Sequence, residues 1–378
     1  MIRLLPVRLL RGHLLRVGMF LASALVLSTA AQAADLPVQR IRLPAGFTIE
    51  VYARVPGARS LAIGDRGTVF VGTMNAGRVY ALRPAPDGRT ALPSVIASGL
   101  DTPNGVAFRE GALYVAEVGR ILRFDGIEDR LDKPPRPVVV TDRFPTDRHH
   151  GWKTIAFGPD GWLYVPVGAP CNVCEADPDR YALISRIRTD GTGYEVVARG
   201  IRNSVGFDWH PDTKELWFND HGRDMLGDDL PSCELNRASR PGQHFGFPYC
   251  HQGDVPDPDF GGKRACGEFV PPAWKQGGHV APDGLRFYTG AQFPPAYRHR
   301  LFVAQHGSWN RSKKSGYRIM MATLQDGRTV SAFEPFAEGW LENEQAWGRP
   351  VDILELPDGS LLVSDDFAGA VYRIRYGR

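Results

Sequence analysis

An apolar three-residue strand recurs along the whole chain, each time just after a Gly or Asp turn. It reads Val69-Phe70-Val71, Leu113-Tyr114-Val115, Leu163-Tyr164-Val165, Leu216-Trp217-Phe218, Leu301-Phe302-Val303 and Leu361-Leu362-Val363, with successive starts 44, 50, 53, 85 and 60 residues apart. A unit of that length is a four-stranded sheet, which cannot bury both of its faces alone. Stacking such sheets around an axis removes their edges and makes one core, so the repeat predicts an all-β, six-bladed β-propeller of four-stranded antiparallel blades. Function then belongs at the axis, where loops from several blades converge and residues distant in sequence build one site.

Every repeat has the same grammar: an apolar strand, a turn, the triplet, a second turn, and an outer strand rich in β-branched and aromatic residues. The turns Asp65-Arg66-Gly67, Glu110-Gly111, Pro159-Asp160-Gly161, Pro211-Asp212 and Pro357-Asp358-Gly359 are hairpin connections, since Pro presets φ, Asp caps its own backbone and Gly accepts positive φ. The chain has no long amphipathic pattern, and its 42 Gly and 30 Pro suit an all-β fold. Thr48-Ile49-Glu50-Val51-Tyr52 is the expected partner of the final blade, closing the ring. The wide gap between the fourth and fifth triplets, around residues 219–279, reads as a long ordered insertion near the ring mouth, because Phe245-Gly246-Phe247-Pro248-Tyr249 should pack.

The first residues carry Arg3, Arg8, Arg11 and Arg16 with no acid, then an apolar run from Val17 to Leu27, then Ala31-Gln32-Ala33. This is the pattern of a signal peptide over residues 1–33, with residues 34–378 as a single propeller domain and a periplasmic or secreted location. A membrane anchor is the alternative, but the run is short for a spanning helix, so no stable membrane association is expected after cleavage. Removing the leader takes the formal charge from +3 to −1, with 41 basic and 42 acidic residues left. Nothing in that balance suggests a nucleic-acid partner. Five Cys in an exported chain allow two disulfides. Cys250 and Cys266 flank one loop and are plausible partners. Cys171-x-x-Cys174 lacks the His of a haem attachment and the further ligands of a zinc site, so a local disulfide is expected there, with Cys233 free.

Three polar motifs interrupt the blade grammar. His149-His150-Gly151-Trp152 precedes the strand Thr154-Ile155-Ala156-Phe157; a His at the inner end of a strand is either a general base facing the central funnel or a structural His bonded to a neighbouring loop. Arg202-Asn203 offers a planar fork and a donor-acceptor amide, for an anionic ligand or for an acid in the next blade. Asp220-His221-Gly222-Arg223-Asp224, followed by Asp228 and Asp229, is either an oxygen-rich calcium loop or a solvated acidic one. Further on, His306-Gly307-Ser308-Trp309-Asn310-Arg311-Ser312-Lys313-Lys314 and Arg349 collect positive charge suited to a polyanionic small molecule, although Lys313 and Lys314 also fit a solvated hairpin tip.

Taken in order with Thr102-Pro103-Asn104-Gly105, Phe157-Gly158-Pro159-Asp160-Gly161, Gly246-Phe247-Pro248-Tyr249 and Arg349-Pro350-Val351-Asp352, these motifs resemble the soluble pyrroloquinoline-quinone (PQQ) sugar dehydrogenases, in particular their sorbosone dehydrogenase-like branch. The resemblance implies PQQ at the top of the channel and a Ca²⁺ ion bound to its quinone. It implies His150 as the base and Arg202 and Asn203 as the pair contacting the reactive carbonyl, with Arg202 stabilising the developing oxyanion. It further implies Gly222 and Arg223 as backbone ligands of the calcium, Arg349 as a carboxylate-binding group, and Asn104 and His279 as further cofactor contacts. Arg311 and Lys313 are both candidates for the family's cofactor lysine. Two positions depart from the glucose enzymes: His149 stands in place of an Asp before the base, and Val351 in place of a second Arg. The implied reaction is oxidation of a sugar or sugar aldehyde to a lactone or acid, with electrons passed to an external acceptor. Two other readings of the propeller are a calcium-dependent lactonase or esterase and a non-catalytic exported binding module.

Overall fold

The computed structural model describes residue 1, residues 35–86 and residues 88–377. Apart from residue 1, the expected leader therefore lies outside the described residues. Six four-stranded antiparallel blades form a six-bladed β-propeller. From the axis outwards, blade 1 consists of Leu61–Ile63, Val69–Val71, Arg78–Pro84 and Ala91–Ser98, and blade 2 of Gly105–Arg109, Ala112–Ala116, Ile121–Asp125 and Val138–Thr141. Blade 3 is built from Ala156–Phe157, Leu163–Val167, Leu183–Ile187 and Glu195–Arg199, and blade 4 from Phe207–Trp209, Leu216–Asp220, Ser232–Ala238 and Trp274–Gly278. Blade 5 follows with Pro282–Phe287, Leu301–Gln305, Arg318–Gln325 and Thr329–Glu338. In blade 6, Pro350–Glu355, Leu361–Asp365 and Ala370–Tyr376 are completed by the early strand Phe47–Arg54, which pairs antiparallel with Ala370–Tyr376.

Every triplet is the second strand of its blade, and its burial explains its composition. Phe70 packs into the seam between blades 1 and 2, while Val69 and Val71 pack into the seam with blade 6. Leu113 and Val115 face blade 1, and Tyr114 faces blade 3. The rule holds around the ring: the first and third residues face the preceding blade and the middle one the following blade. A strand alternates faces with period two, so burial on both sides demands three consecutive apolar residues. The core is accordingly six separate seams, one per pair of neighbouring blades.

The stretch from 219 to 279 includes the third and fourth strands of blade 4, so the added segment is confined to residues 239–273. Within it, Gln243–His244 joins blade 3 as a parallel fifth strand and Cys250–His251 pairs with Val255–Pro256. The segment is stapled by a Cys250–Cys266 disulfide; a second disulfide links Cys171 to Cys174, and Cys233 is free and buried. No helix among the described residues is long and apolar enough to cross a membrane.

Candidate active site

The inner strands begin in close contact around the axis. A Cβ added to Gly105 would lie 2.4 Å from the Lys153 carbonyl oxygen, and one on Gly206 would lie 2.0 Å from that of Asp283. Only glycine tolerates such an approach, and the tight packing leaves room for a cavity of about 600 Å³ at this end of the ring. Its floor is organised by Arg59, which is 4% exposed. Arg59 donates Nε–H to Asn104 Oδ1 (2.6 Å), Nη1 to Asp366 (2.6 Å) and Nη2 to Asp283 (2.9 Å). Each carboxylate also holds a histidine: Asp366 lies 2.8 Å from His306 Nε2, and Asp283 lies 3.2 Å from His221 Nε2. Burial alone would raise both carboxyls, but His306 and Arg59 hold Asp366 well below the usual range, and Arg59 and His221 lower Asp283. The floor is therefore a linked polar network joining blades 1, 2, 4, 5 and 6.

His150 is buried on the cavity wall with φ of 52°, in the left-handed region that non-glycine residues rarely occupy. Gly168 makes room for it, since a Cβ there would sit 2.5 Å from the His150 Cβ. His150 Nδ1 lies 2.8 Å from the Ala169 carbonyl oxygen. A carbonyl only accepts, so Nδ1 carries the proton and Nε2 keeps its lone pair. Burial, then the Arg202 charge and the His149 ring push the imidazole down to about 2, so it stays neutral at ordinary pH. His149, standing where an orienting Asp was absent, is itself lowered by burial and Arg202. The orientation comes instead from a backbone carbonyl.

Arg202 and Asn203 enter from the turn before blade 4. Their backbone N–H groups donate to the two oxygens of buried Asp220, at 2.9 and 2.7 Å, so one carboxylate fixes the direction of both residues. The Arg202 guanidinium donates to the carbonyl and side-chain oxygens of Asn172 (both 2.8 Å) and to Asp224 (3.0 Å). Asn172 lies in the loop closed by Cys171–Cys174, which gives that local disulfide a place in the site. Nη1 has only a long contact, 3.4 Å to the His221 carbonyl, and is the least committed edge of the fork. Asp224 also accepts from Asn310 Nδ2 at 2.8 Å.

Arg349 also lines the cavity but is held differently, by the backbone carbonyls of His306 (3.0 Å) and Gly307 (2.5 Å). His279 lines it too, with Nε2 bonded to the Gly227 carbonyl at 2.7 Å and Nδ1 3.9 Å from Asp224. Gly222 reaches the lining; Arg223 does not, and its side chain turns away to Asp257. No group of three or more His, Cys, Asp or Glu among the described residues is arranged as a metal site.

Three expected cofactor contacts lie elsewhere. Asn104 sits beneath the lining, its amide spent on Arg59 and on the Lys153 carbonyl (3.0 Å). Arg311 is bound to the Asp228 carbonyl (3.0 Å) and Asp229 (2.6 Å). Lys313 is exposed and its carbonyl merely accepts from Arg311. Neither Arg311 nor Lys313 lines the cavity, and its third cation is Arg59, which carried no motif. Val351 is buried near the axis. Arg59 and Asp283 do share a sequence signal: each directly precedes a small residue at the start of the apolar inner strand, as Asn104 does. Chemically, the cavity combines a neutral imidazole with an open lone pair, fixed guanidinium charge, and carboxylates within a sheltered space.

Residues 128–373 match the family model described as glucose/sorbosone dehydrogenase. An uncharacterised protein of Borreliella burgdorferi is 31% identical over 366 residues, covering 93% of this chain and 95% of that one. The holo form of the PQQ domain of pyranose dehydrogenase from Coprinopsis cinerea is similar in fold, with a TM-score of 0.74 at 17% identity over 89% of this chain and 97% of that one. A calcium structure of a Trichoderma reesei protein of carbohydrate-active family AA12 gives a TM-score of 0.75 at 17% identity, over 92% of this chain and 100% of that one.

Proposed function

The chain belongs to the glucose/sorbosone dehydrogenase family and is an oxidoreductase of that propeller type, and from this premise we propose that it oxidises an aldose or sugar aldehyde, sorbosone among the candidates, to the lactone or acid with PQQ and Ca²⁺. The observation that carries the reading is the His150 tautomer: Nδ1–H is committed to Ala169, which leaves Nε2 free to take a hydroxyl proton from a hemiacetal or aldehyde hydrate. PQQ, when bound, supplies the two-electron acceptor for the hydride leaving the same carbon, and Ca²⁺ supplies polarising charge.

The donor set fits a planar polyanion. Arg349 pairs with no carboxylate among the described residues, so its charge is open to an anionic group, while Asn203 and His279 offer further polar edges on the same lining. A calcium ion would be held by the backbone of Gly222 and Arg223, with Asp224 supplying nearby negative charge. Arg202 contributes a fixed positive field that needs no reorganisation during reaction, the form of electrostatic help that is strongest in a sheltered site. Export to the periplasm or beyond, delivery of electrons to an external acceptor, and a single exported domain over residues 34–378 belong to the same proposal. Two disulfides in the fold support the oxidising location.

The test is dye reduction by the purified protein with added PQQ and Ca²⁺, using aldoses and sorbosone as substrates. Reduction that needs both additions and collapses in His150→Ala supports the reading. Failure of PQQ to bind rejects it.

A further inference from the structure

Behind the proposed base lies a buried cation that takes no part in the reaction outlined above. Lys153 follows His150 by three residues and is 1% exposed. Its Nζ donates to two backbone carbonyls, Gly151 at 2.8 Å and Val118, and lies 5.8 Å from the centre of the Phe144 ring. Asp101 and Asp147 act on it through space, and neither forms an ion pair with it. Burying an ammonium without a counter-ion is unfavourable, so the position asks for an explanation beyond packing.

The two carbonyls supply it. Gly151 directly follows His150, and Val118 belongs to the blade 2 loop on which Gly151 rests; a Cβ on Gly151 would come within 3.1 Å of the Val118 side chain and 2.3 Å of the Asp147 carbonyl. The turn between them is the one that carries His150 at φ of 52°. Left-handed backbone at a non-glycine residue persists only where its surroundings hold it. The Lys153 carbonyl accepts from Asn104, and Asn104 accepts from Arg59, so the same residue ties this turn to the cavity floor.

We propose that Lys153 is a positioning residue for His150, its ammonium clamping the turn to blade 2 so that Nδ1–H meets Ala169 and Nε2 faces the cavity. The inference rests on His150 acting as the base. Lys153 itself does not line the cavity and touches no reacting atom.

The test compares wild type, Lys153→Met and Lys153→Gln as apo-protein with ¹⁵N-labelled histidine, His150→Ala identifying the signal. Wild type should show the proton on Nδ1 alone; Lys153→Met should show a mixture of tautomers. With PQQ, Ca²⁺ and sugar, Lys153→Met should lose about 100-fold in kcat with KM and PQQ half-saturation unchanged, the effect of a slightly misplaced group. Lys153→Gln, a shorter neutral donor, should recover part of both signals. A folded Lys153→Met with wild-type tautomer and kcat overturns the proposal, as does a loss confined to KM or PQQ half-saturation. Should Lys153→Met not fold, a folded Lys153→Gln indistinguishable from wild type in tautomer and kcat overturns it equally. If wild type reduces no dye with PQQ, the dehydrogenase reading fails, and the tautomer comparison still decides the role of Lys153.

Discussion

Arg202 and Arg349 line the same cavity, from the turns before blades 4 and 6, and are held in opposite ways. Arg202 is fixed by three side-chain and backbone acceptors, one of them the Asp224 carboxylate, and its backbone is fixed by Asp220. The Arg349 guanidinium donates only to backbone carbonyls and lies 5.3 Å from the centre of the Tyr317 ring. A guanidinium whose charge is already balanced gives direction to a site but gains little from a new anion; one resting on carbonyls gains much more. On the proposed function the two walls would divide the work, the side of blades 3 and 4 serving the reacting carbon and the side of blade 6 holding an anionic group.

This division can be broken by experiment. The largest effect belongs to His150→Ala on the organised side, where loss of a general base should lower kcat by about 10²–10⁴-fold in the dye assay. Next comes Asp220→Asn, which replaces one acceptor by an amide donor facing the Arg202 and Asn203 N–H groups. It should lower kcat by about 10-fold or more with PQQ half-saturation nearly kept, since misplacing catalytic groups chiefly affects the chemical step. Arg349→Ala should do the reverse, weakening PQQ half-saturation by about 10–100-fold, as expected for losing a charged hydrogen bond, with kcat at saturation retained. If Asp220→Asn and Arg349→Ala affect the same parameter, the two walls are not distinct.

Two smaller effects concern stability. Replacing Cys250 and Cys266 by Ser opens a loop of sequence separation 16 in the added segment, and urea unfolding should show a loss of about 3 kcal/mol. His150 provides the pH test. Its folded value lies far below the ordinary 6.5, so the unfolded chain takes up the proton first, and the stability that His150 contributes is complete above 6.5 and drains as pH falls towards 2. Between pH 6.5 and 5, wild type should lose stability relative to His150→Gln by about 1 kcal/mol per pH unit, approaching about 1.4 below pH 5. Parallel curves for the two proteins would show that His150 is not buried as described.

The fold was legible because burial on both faces forces a visible run of apolar residues, as in Leu113-Tyr114-Val115. Inner strands were harder to read: Ala156–Phe157 has only two residues, too few to show an alternation. His150, Arg202, Asn203, Gly222, His279 and Arg349 do meet in one cavity, because their motifs occupy loops at the same end of the ring. Arg59 was invisible as a lone Arg between Ala58 and Ser60; its three partners come from other blades, and no local spacing encodes them. Arg311 was placed by the same kind of distant partner, since Asp229, 82 residues earlier in the blade 4 loop, pairs with it away from the cavity.

The pairing of Phe47–Arg54 with Ala370–Tyr376 joins the two ends of the propeller chain in a single sheet. A ribosome makes the first of these strands before the other five blades and its partner after them. Until then, Phe47–Arg54 is an unmatched edge on a growing chain, able to pair with whatever strand it meets. Until the sixth blade is made the ring stays open, so the cavity, whose floor joins Arg59 to Asp366, can exist only after Ala370–Tyr376 has been added. A protein arranged in this way carries its own delay between the making of its first cavity-lining loop and the first moment that loop can meet its partners.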